Sequence, residues 1–313
     1  MMAAEHYSVM LEEAVTALAL GGAERVVDAT FGGGGHARGI LRELGPHGAL
    51  LGVDRDPEAA ARAAALAGED RRFAFRPGAY NEVLEDLVVE GEKADAILFD
   101  LGLSSYQIDE AGRGFSYVRE GPLDMRMDPE RGASAADFLN EAEAQEIADV
   151  LARYGDVPRG EARRVVREVM RRRPLGTTVE LSEAVRAAVG WKERGGNPSK
   201  RVFQAVRVYV NDELGSLERA LGASERLLVP GGRLVAITFH SGEDRMVKRF
   251  ISEREGRCVC PPELPVCACG ARPILRKGVV RKPSAREIEE NPRSGSARLR
   301  SAVRTAEPPG ETR

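Results

Sequence analysis

The sequence predicts an α/β protein in which a mostly parallel, doubly wound sheet is interrupted by an inserted all-helical domain. Three observations predict this fold class. Apolar strand-like runs alternate with helical periodicity over roughly the first hundred residues. No strand pattern follows from about Ala111 to Pro198, and an apolar strand then returns at Arg233–Phe239. We therefore expect a discontinuous sheet domain formed by residues 1–110 and 199–313, with residues 111–198 as the helical insertion.

The first strand–helix–strand unit contains a glycine loop. Val26 and Val27 end a predicted buried strand, and four glycines, Gly32–Gly35, precede a predicted helix over residues 37–44. Glycine lets backbone N–H groups approach a ligand closely at the start of a helix. The second strand ends in Asp54, 19 residues after the last glycine. A carboxylate at this spacing is typical of sites that hold ribose hydroxyls, so the unit predicts a nucleoside-containing cofactor.

The identity of this cofactor stays open on the glycine pattern alone. Gly32-x-Gly34-x-x-Ala37 fits the dinucleotide pattern, and an NAD(P)-linked oxidoreductase is one reading of it. However, Asp28 precedes the first glycine by four residues and would repel a pyrophosphate. A carboxylate there can instead accept from the cationic amino-acid group of S-adenosylmethionine. A flexible glycine loop with no ligand is the third alternative.

The third and fourth predicted strands also end in residues suited to ligand binding. Tyr80 follows the strand at Arg72–Phe75, where its ring can stack on an adenine or simply pack. Asp100 follows Ala94–Phe99, which is apolar on both faces and therefore central. Ligands of open α/β sheets bind outside the carboxyl ends of the strands. Four residues follow strand ends in this way: Asp28, Asp54, Tyr80 and Asp100.

Helical patterns fill the insertion and the segment after it. We expect helices over Ala142–Tyr154, Gly160–Arg173 and Thr178–Val189, and a further helix from Ser199 to about Leu214. Near the end of the chain, Arg298–Arg304 alternates like a strand with one solvated face.

Charge and composition limit the class of protein. The net charge is −3, but residues 159–207 carry 13 Lys/Arg against 5 Asp/Glu, and residues 245–313 carry 16 against 8. Two basic segments in a chain whose remaining residues carry a net negative charge suggest a polyanionic partner, although solvated helix faces would give the same pattern. No apolar run is long enough for a transmembrane helix and no secretion signal precedes the first strand, so we expect a cytoplasmic protein with no membrane partner.

All four cysteines lie in two Cys-x-Cys pairs, Cys258/Cys260 and Cys267/Cys269. Four thiolates can form a tetrahedral zinc site, but the usual spacing within each pair is wider. Reduced thiols and redox-active thiols are the alternatives, and a cytoplasmic location disfavours the latter.

Several motifs together resemble one family, the ribosomal RNA small subunit methyltransferase H family, also called MraW. The resemblance covers nearly the whole chain in the right order. The motifs are residues 30–36, residues 54–57, residues 100–105, residues 121–128, residues 203–207, residues 239–241 and residues 291–294.

This resemblance implies a Rossmann-like class I methyltransferase that uses S-adenosylmethionine. It implies 16S rRNA of the small ribosomal subunit as partner, with N4 of a cytidine in the decoding centre as the methyl acceptor. We expect a monomer or a homodimer, with RNA recognition in the helical domain. A metal is not implied. The cofactor-binding residues carried over by motif are Gly34, Gly35, His36, Asp54, Tyr80, Asp100 and Gln107.

Methyl transfer to an amine mainly requires an aligned geometry and an acceptor for the amine's proton. Asp100 and Ser104 are the leading candidates for a direct chemical role, and His240 is the next. Each has a structural alternative, because Asp100 can serve only the cofactor, Ser104 can cap a helix, and His240 can be a structural histidine. A non-catalytic RNA-binding module on the same fold is the remaining functional alternative.

The basic helix of the insertion ends in three consecutive arginines, Arg171–Arg173. Six arginines lie between Arg163 and Arg173 and cannot all share one face of a helix. We expect some of them to contact rRNA phosphates, or else to be solvated and favoured by the helix dipole.

Overall fold

The structure is a computed structural model that describes residues 8–22, 25–190, 197–256 and 272–305. The four cysteines lie outside the described residues, so the zinc alternative stays a prediction. The chain forms two compact units, which we call the sheet unit and the helical unit. The sheet unit contains Met1–Gly102 and Ser216–Arg313, and the helical unit contains Leu103–Gly215.

The sheet unit contains a seven-stranded sheet with the order β3-β2-β1-β4-β5-β7-β6. β1 to β5 are parallel, and β7 lies antiparallel between β5 and β6. The order of the first five strands is that of a doubly wound nucleotide-binding sheet. The strands are β1 (Arg25–Asp28), β2 (Ala49–Asp54), β3 (Phe73–Pro77), β4 (Ala94–Asp100), β5 (Leu228–Thr238), β6 (Leu275–Arg281) and β7 (Arg298–Arg304).

Helices flank the sheet and form the second unit, and the described residues also include short 3₁₀ helices at Ala111–Arg113 and Pro292–Ser296. The α-helices of the described residues are α1 (Leu11–Leu18), α2 (Gly35–Glu43), α3 (Pro57–Glu69), α4 (Tyr80–Val89), α5 (Ser105–Asp109), α6 (Ala135–Glu141), α7 (Ala144–Tyr154), α8 (Arg159–Arg172), α9 (Thr178–Val189), α10 (Ser199–Val210), α11 (Glu213–Leu227), α12 (Ser241–Arg254) and α13 (Ala285–Glu290).

β4 is the central strand of the sheet and is buried on both faces. Ile97 and Phe99 belong to the apolar cluster on one face, whereas Ala96 and Leu98 belong to the cluster on the other. Successive side chains of a strand point to opposite faces, so this division follows from the strand geometry. The predicted α/β fold, with a doubly wound sheet and a helical insertion, is confirmed.

The helical unit has an apolar core of its own, which includes Ile147 of α7, Val165 of α8 and Leu181 of α9. Its boundaries differ from those that the sequence predicted. Phe203 and Val206 of α10 are buried in the same core, so α10 groups with this unit and not with the sheet unit. Helix packing explains the difference, because the apolar face of α10 lies against α7.

The sequence did not predict β6. After Leu275 every residue of this strand is exposed, so neither an alternating nor a continuous apolar pattern is present. β6 has one neighbour, β7, and lies at the edge of the sheet.

Candidate functional site

The glycine loop connects β1 to α2 as the sequence predicted. Gly34 has a φ of 78°, and a Cβ there would lie 2.9 Å from the Phe31 ring. A Cβ on Gly35 would lie 1.9 Å from the hydroxyl oxygen of Ser8. Position 34 therefore favours glycine for its backbone conformation, and a side chain at either position would displace Phe31 or Ser8.

Hydrogen bonds fasten this loop to the carboxyl end of β2. The Phe31 amide donates to the Val53 carbonyl at 2.9 Å, and the Gly32 amide donates to Oδ2 of Asp54 at 2.7 Å. The Gly32 carbonyl accepts from Nε of Arg62 at 3.0 Å. The loop is thus held in one geometry by the protein itself, which is the preorganisation that a tight ligand site needs.

Asp54 organises two turns at once. Its second oxygen, Oδ1, accepts from the Asp56 amide at 2.9 Å, while Oδ2 holds Gly32. Burial raises the pKa of Asp54, and the two backbone hydrogen bonds oppose that rise. Each carboxylate oxygen can accept more than one hydrogen bond. Asp54 can therefore bind ribose hydroxyls while it holds the glycine loop.

A buried charged cluster lies at the carboxyl ends of β1 and β4. Asp28 is fully buried, and its Oδ1 accepts from the Thr30 amide at 3.2 Å. Nδ1 of His36 lies 3.3 Å from Oδ2 of Asp100, and its Nε2 lies 3.1 Å from the Val9 carbonyl oxygen. The Asp100 amide donates to Oγ1 of Thr30 at 2.6 Å. Three predicted groups, Asp28, His36 and Asp100, are therefore brought together.

His36 can donate hydrogen bonds to both the Val9 carbonyl and the Asp100 carboxylate only as an imidazolium, because each of these acceptors requires an N–H. Burial lowers the pKa of His36, but the charge and hydrogen bond of Asp100 and the charge of Asp28 outweigh it and raise this pKa above its ordinary value. Burial raises the pKa of Asp28 to about 6, against the attraction of His36. The cluster thus combines one cation with two carboxyl groups.

Two oxygens of this cluster lack protein partners. Oδ2 of Asp28 and Oδ1 of Asp100 are buried and accept no hydrogen bond from the described residues. A buried carboxylate oxygen without a donor is costly and uncommon in native proteins. These atoms fit a ligand that supplies donors or positive charge, and S-adenosylmethionine carries both in its amino group and its sulfonium. The residues present therefore fit the cofactor that the sequence predicts.

Tyr80 begins α4, just beyond the carboxyl end of β3. Its ring meets the Phe99 ring edge-on, with centroids 5.7 Å apart and planes at 85°. Because Phe99 precedes Asp100 in β4, Tyr80 lies beside the strand that carries the charged cluster. Stacking of this ring on an adenine stays a prediction.

Ser104 and Gln107 both lie in the helical unit and cap α5 reciprocally. Oγ of Ser104 accepts from the Gln107 amide at 3.2 Å, and Oε1 of Gln107 accepts from the Ser104 amide at 3.1 Å. This is the capping-box arrangement. The capping alternative for Ser104 is therefore present in the structure, and a contact of Gln107 with the cofactor stays a prediction.

His240 caps α12 with its imidazole. Nδ1 accepts from the amides of Gly242 and Glu243 at 3.2 and 3.4 Å, and Nε2 lies 3.2 Å from Oε1 of Glu243. The other oxygen of Glu243 accepts from the amides of Phe239 and His240. The lone pair of Nδ1, the basic ring nitrogen, therefore already accepts hydrogen bonds from the first amides of α12. This geometry favours the structural alternative for His240 over a role as general base.

The three arginines at the end of α8 also have partners within the helical unit. Arg171 pairs with Glu168 at 2.6 Å, and Arg172 lies 3.4 Å from the same carboxylate. Arg173 donates to the Leu139 carbonyl at 2.7 Å and to the Ala142 carbonyl at 2.5 Å. These contacts favour a structural role for this cluster over phosphate binding.

Sequence reasoning missed two parts of the site, Thr30 and the Val9 carbonyl. Thr30 follows Asp28 by two residues and joins β1 to β4 through the Asp100 amide. A hydroxyl residue two positions after a strand end was a usable signal. A backbone carbonyl such as that of Val9 gives no signal in a sequence.

Comparison with known proteins gives consistent similarities. A family model described as the MraW methylase family matches residues 3–305. The chain is 70% identical over 311 residues to the ribosomal RNA small subunit methyltransferase H of Rubrobacter xylanophilus, covering 99% of each chain. It is 46% identical to the protein of that name from Thermomicrobium roseum, covering 96% of this chain and 94% of that one.

Among solved structures, an rRNA methylase from Streptococcus thermophilus is similar at 9% identity and a TM-score of 0.42, covering 97% of this chain and 99% of that one. The fold class rests on the strand order described above. Among the described residues, we find no helix with the length and apolar character needed to cross a membrane.

Proposed function

Because the chain belongs to the MraW methylase family, we propose that it methylates N4 of a cytidine in the decoding centre of 16S rRNA. It is an S-adenosylmethionine-dependent methyltransferase of small-subunit ribosomal RNA. The target atom and nucleotide are the parts that we propose. The observation that carries the proposal is a pair of buried carboxylate oxygens beside the glycine loop, on Asp28 and Asp100, that accept no hydrogen bond from any residue the structure describes.

The cofactor would bind along the carboxyl ends of β1, β2 and β4. We assign Gly34 and Gly35, at the start of α2, as contacts of the cofactor, and Asp54 as the acceptor of its ribose hydroxyls. Asp28 and Asp100 attract the cationic groups of the ligand. S-adenosylmethionine supplies a methyl group on a sulfonium, whose leaving thioether is neutral. Tyr80 and Gln107 complete the proposed cofactor contacts.

Asp100 is our leading candidate for the group that serves the acceptor amine. The lone pair of an exocyclic cytosine amine is delocalised into the ring, so the amine is a weak nucleophile. When Oδ1 of Asp100 accepts an N–H of this amine, it increases the electron density on nitrogen. After methylation the same oxygen can take the proton that the nitrogen loses.

His36 would position Asp100 for this task. The contact between Nδ1 of His36 and Oδ2 of Asp100 occupies one carboxylate oxygen, whereas Oδ1 accepts no hydrogen bond from the described residues. The Thr30 hydroxyl fixes the backbone at Asp100. Ser104 and His240 rank lower as chemical groups because both cap helices.

The acceptor base lies in folded RNA and has to leave its stack to reach the cofactor. We propose that the helical unit takes part in recognising that RNA. Arg159, Arg163 and Arg167 of α8 are exposed and support this role. An rRNA substrate also supports a cytoplasmic location. We propose a monomer or a homodimer, which sedimentation of the purified protein would distinguish.

Methyl transfer to defined RNA tests the proposal. Labelled S-adenosylmethionine would be incubated with the protein and with either naked 16S rRNA or small subunits from cells that lack the modification. We expect label in 16S rRNA and N4-methylcytidine after nucleoside digestion. Label in another nucleoside would contradict the proposed target atom, and no transfer to either substrate would support a non-catalytic RNA-binding module.

A further inference from the structure

The edge strand β6 and its flanks form the basic edge, which we define as residues 272–286. This stretch contains six lysines and arginines and no aspartate or glutamate. Every residue of β6 after Leu275 is exposed. A cationic strand that is solvated on both faces contributes little to the apolar core. Core packing therefore does not explain its positive charges.

Arg286 pairs with Glu290 at 2.8 Å. The four cations of β6 and of the residue after it are not neutralised within the part of the chain that the structure describes. Arg276, Lys277, Arg281 and Lys282 have no ion pair with a described carboxylate, and the described hydrogen bond of Arg281 is a 3.4 Å contact with the Val280 carbonyl. The neighbouring strand β7 differs. Arg300 forms a two-point contact with Asp244, at 2.7 and 3.0 Å.

The register of the sheet aligns the end of the basic edge with the candidate site. Arg281 pairs with Leu299, Leu299 pairs with Ile237, and Ile237 pairs with Asp100. β6 is antiparallel to β7, which is antiparallel to β5, so β6 runs in the same direction as β4. Three strand spacings separate Arg281 from Asp100, which is about 14 Å. Lys282 follows at the same end of the sheet.

We propose that Arg281 and Lys282 bind phosphate groups of the rRNA strand that carries the target nucleotide. This inference rests on the proposed function and assigns a binding surface to it. A distance of about 14 Å spans only a few nucleotides of one strand. Phosphate contacts at that distance would position the strand while Asp100 serves the base, and they would carry no sequence information themselves.

A protein strand is a poorer fit to the same edge. The register between β6 and β7 shifts between Lys277 and Val280, and Oγ of Ser301 accepts from the Val279 amide at 2.9 Å. A bulge of this kind twists an edge strand, and exposed lysines also prevent strands from adding to it. The basic edge is therefore protected against pairing with a second copy of the chain while it remains accessible to a polyanion.

Two variants of the basic edge, each with two cations replaced by glutamine, test the proposal. Arg281→Gln with Lys282→Gln removes the cation that is aligned with Asp100 through the sheet register and the cation next to it. Arg276→Gln with Lys277→Gln is the matched control, because Arg276 is level with Ala96, about 13 Å further from the carboxyl end of β4. Both variants lose two positive charges from exposed positions of the basic edge, so a general electrostatic effect would change both alike.

We expect the Arg281/Lys282 variant to raise the KM for unmodified small-subunit RNA about tenfold. Its salt dependence should fall by about two units of slope, one for each lost phosphate contact. The control should change KM by at most about threefold. Both variants should keep the wild-type affinity for S-adenosylmethionine and the wild-type kcat at saturating RNA, and equilibrium binding to unmodified 16S rRNA should follow the same order.

Equal effects of the two variants, or no effect of the Arg281/Lys282 variant on RNA binding, would overturn the proposal. A wild-type dimer that this variant dissociates, with RNA affinity unchanged, would also overturn it and assign the edge to protein contacts. The proposed function fails separately, when the wild-type protein transfers no methyl group. The RNA-binding comparison still decides the role of the basic edge in that case.

Discussion

Asp28 and Asp100 of the sheet unit differ from Asp124 of the helical unit in how completely their carboxylates are paired. In the sheet unit, Asp28 and Asp100 each keep one buried oxygen without a hydrogen-bond partner among the described residues. In the helical unit, Asp124 accepts from the amide and Nε of Arg126 at 2.9 Å and from its Nη2 at 2.7 Å. An unpaired buried oxygen indicates a place for a ligand, whereas a fully paired carboxylate stabilises its own loop.

Asn211 extends this contrast to the side-chain amides of the helical unit. Its Oδ1 accepts from the Met127 amide at 2.8 Å, and its Nδ2 donates to the carbonyls of Met125 and Arg207 at 2.7 and 2.9 Å. Met125 is fully buried with a φ of 60°, so this clamp holds an unfavourable backbone conformation in place. The motif at residues 121–128, which contributes to the family resemblance, therefore acts as scaffold within its unit.

The largest expected effect comes from removing the charge of Asp100. Asp100→Asn keeps the shape of the side chain but cannot accept the amine's proton, so kcat should fall by about 10²- to 10⁴-fold. His240→Asn is the matched control, because asparagine also caps a helix start. We expect that variant to retain kcat within about threefold. A large loss of kcat in His240→Asn with little loss in Asp100→Asn would contradict this assignment and make His240 the group that serves the acceptor amine.

The next effect compares Asp54 with Asp124. Asp54→Ala removes a ribose acceptor and frees the Gly32 amide, so the dissociation constant for S-adenosylmethionine should rise by an amount that corresponds to on the order of 1.5–3 kcal/mol of binding free energy. Asp124→Asn should leave that constant unchanged and lower the free energy of unfolding by about 1–3 kcal/mol, because Arg126 loses its charged partner. Calorimetric titration and urea unfolding measure the two quantities. Unchanged cofactor binding in folded Asp54→Ala would refute the assignment.

The third effect is a pH dependence caused by Asp28. Its pKa rises from 3.8 to about 6 on folding. The folded state therefore prefers the protonated carboxyl, and this contribution to stability is complete below pH 3.8 and is lost as the pH rises through about 6. Each pKa unit is worth about 1.4 kcal/mol, which gives a decline of up to about 3 kcal/mol for this group.

Asp28→Asn should abolish that decline. Urea unfolding of the wild type and the variant at pH 4 and pH 7.5 measures the difference. We expect the variant to gain stability relative to the wild type at pH 7.5 but not at pH 4. A variant that is equally destabilised at both pH values would mean that hydrogen bonding, and not burial of charge, dominates at this position.

The smallest effect on function is expected from the arginines at the end of α8. Arg173→Gln removes two hydrogen bonds to carbonyls and should lower the free energy of unfolding by about 1–3 kcal/mol. Arg171→Gln is the control and should change stability little, because its ion pair with Glu168 is exposed. Neither should change the salt dependence of the KM for RNA. A flatter salt dependence would restore the hypothesis that this cluster binds phosphate.

The sequence allowed a good part of the sheet unit to be predicted, because strand ends are marked by residue type. Asp28, Asp54, Tyr80 and Asp100 each follow an apolar run, and the carboxyl ends of parallel strands meet at one edge of the sheet. The pairing of His36 with Asp100 was not predictable. It depends on the rotation of α2 about its axis, which the Val9 carbonyl helps to fix.

The roles of His240 and of the α8 arginines could not be separated by sequence alone. A histidine after a strand is equally suited to catalysis and to capping, and only the two amides that donate to its Nδ1 distinguish these uses. Likewise, the partners of Arg173 are backbone carbonyls more than thirty positions earlier in the chain. The exposed strand β6 gave no periodic pattern, so its alignment with Asp100 became visible only through the sheet register.

The insertion between β4 and β5 has a consequence for the order of folding. These two strands pair along the centre of the sheet, yet all of Leu103–Gly215 lies between them in the chain. The entropic cost of closing a flexible loop grows with the logarithm of the loop length. A segment that has already folded avoids most of this cost. During synthesis the helical unit is complete before β5 emerges. Its own core can therefore form first, and the central pairing of the sheet then becomes a late, short-range step, so a variant that destabilises the helical unit should slow refolding of the sheet.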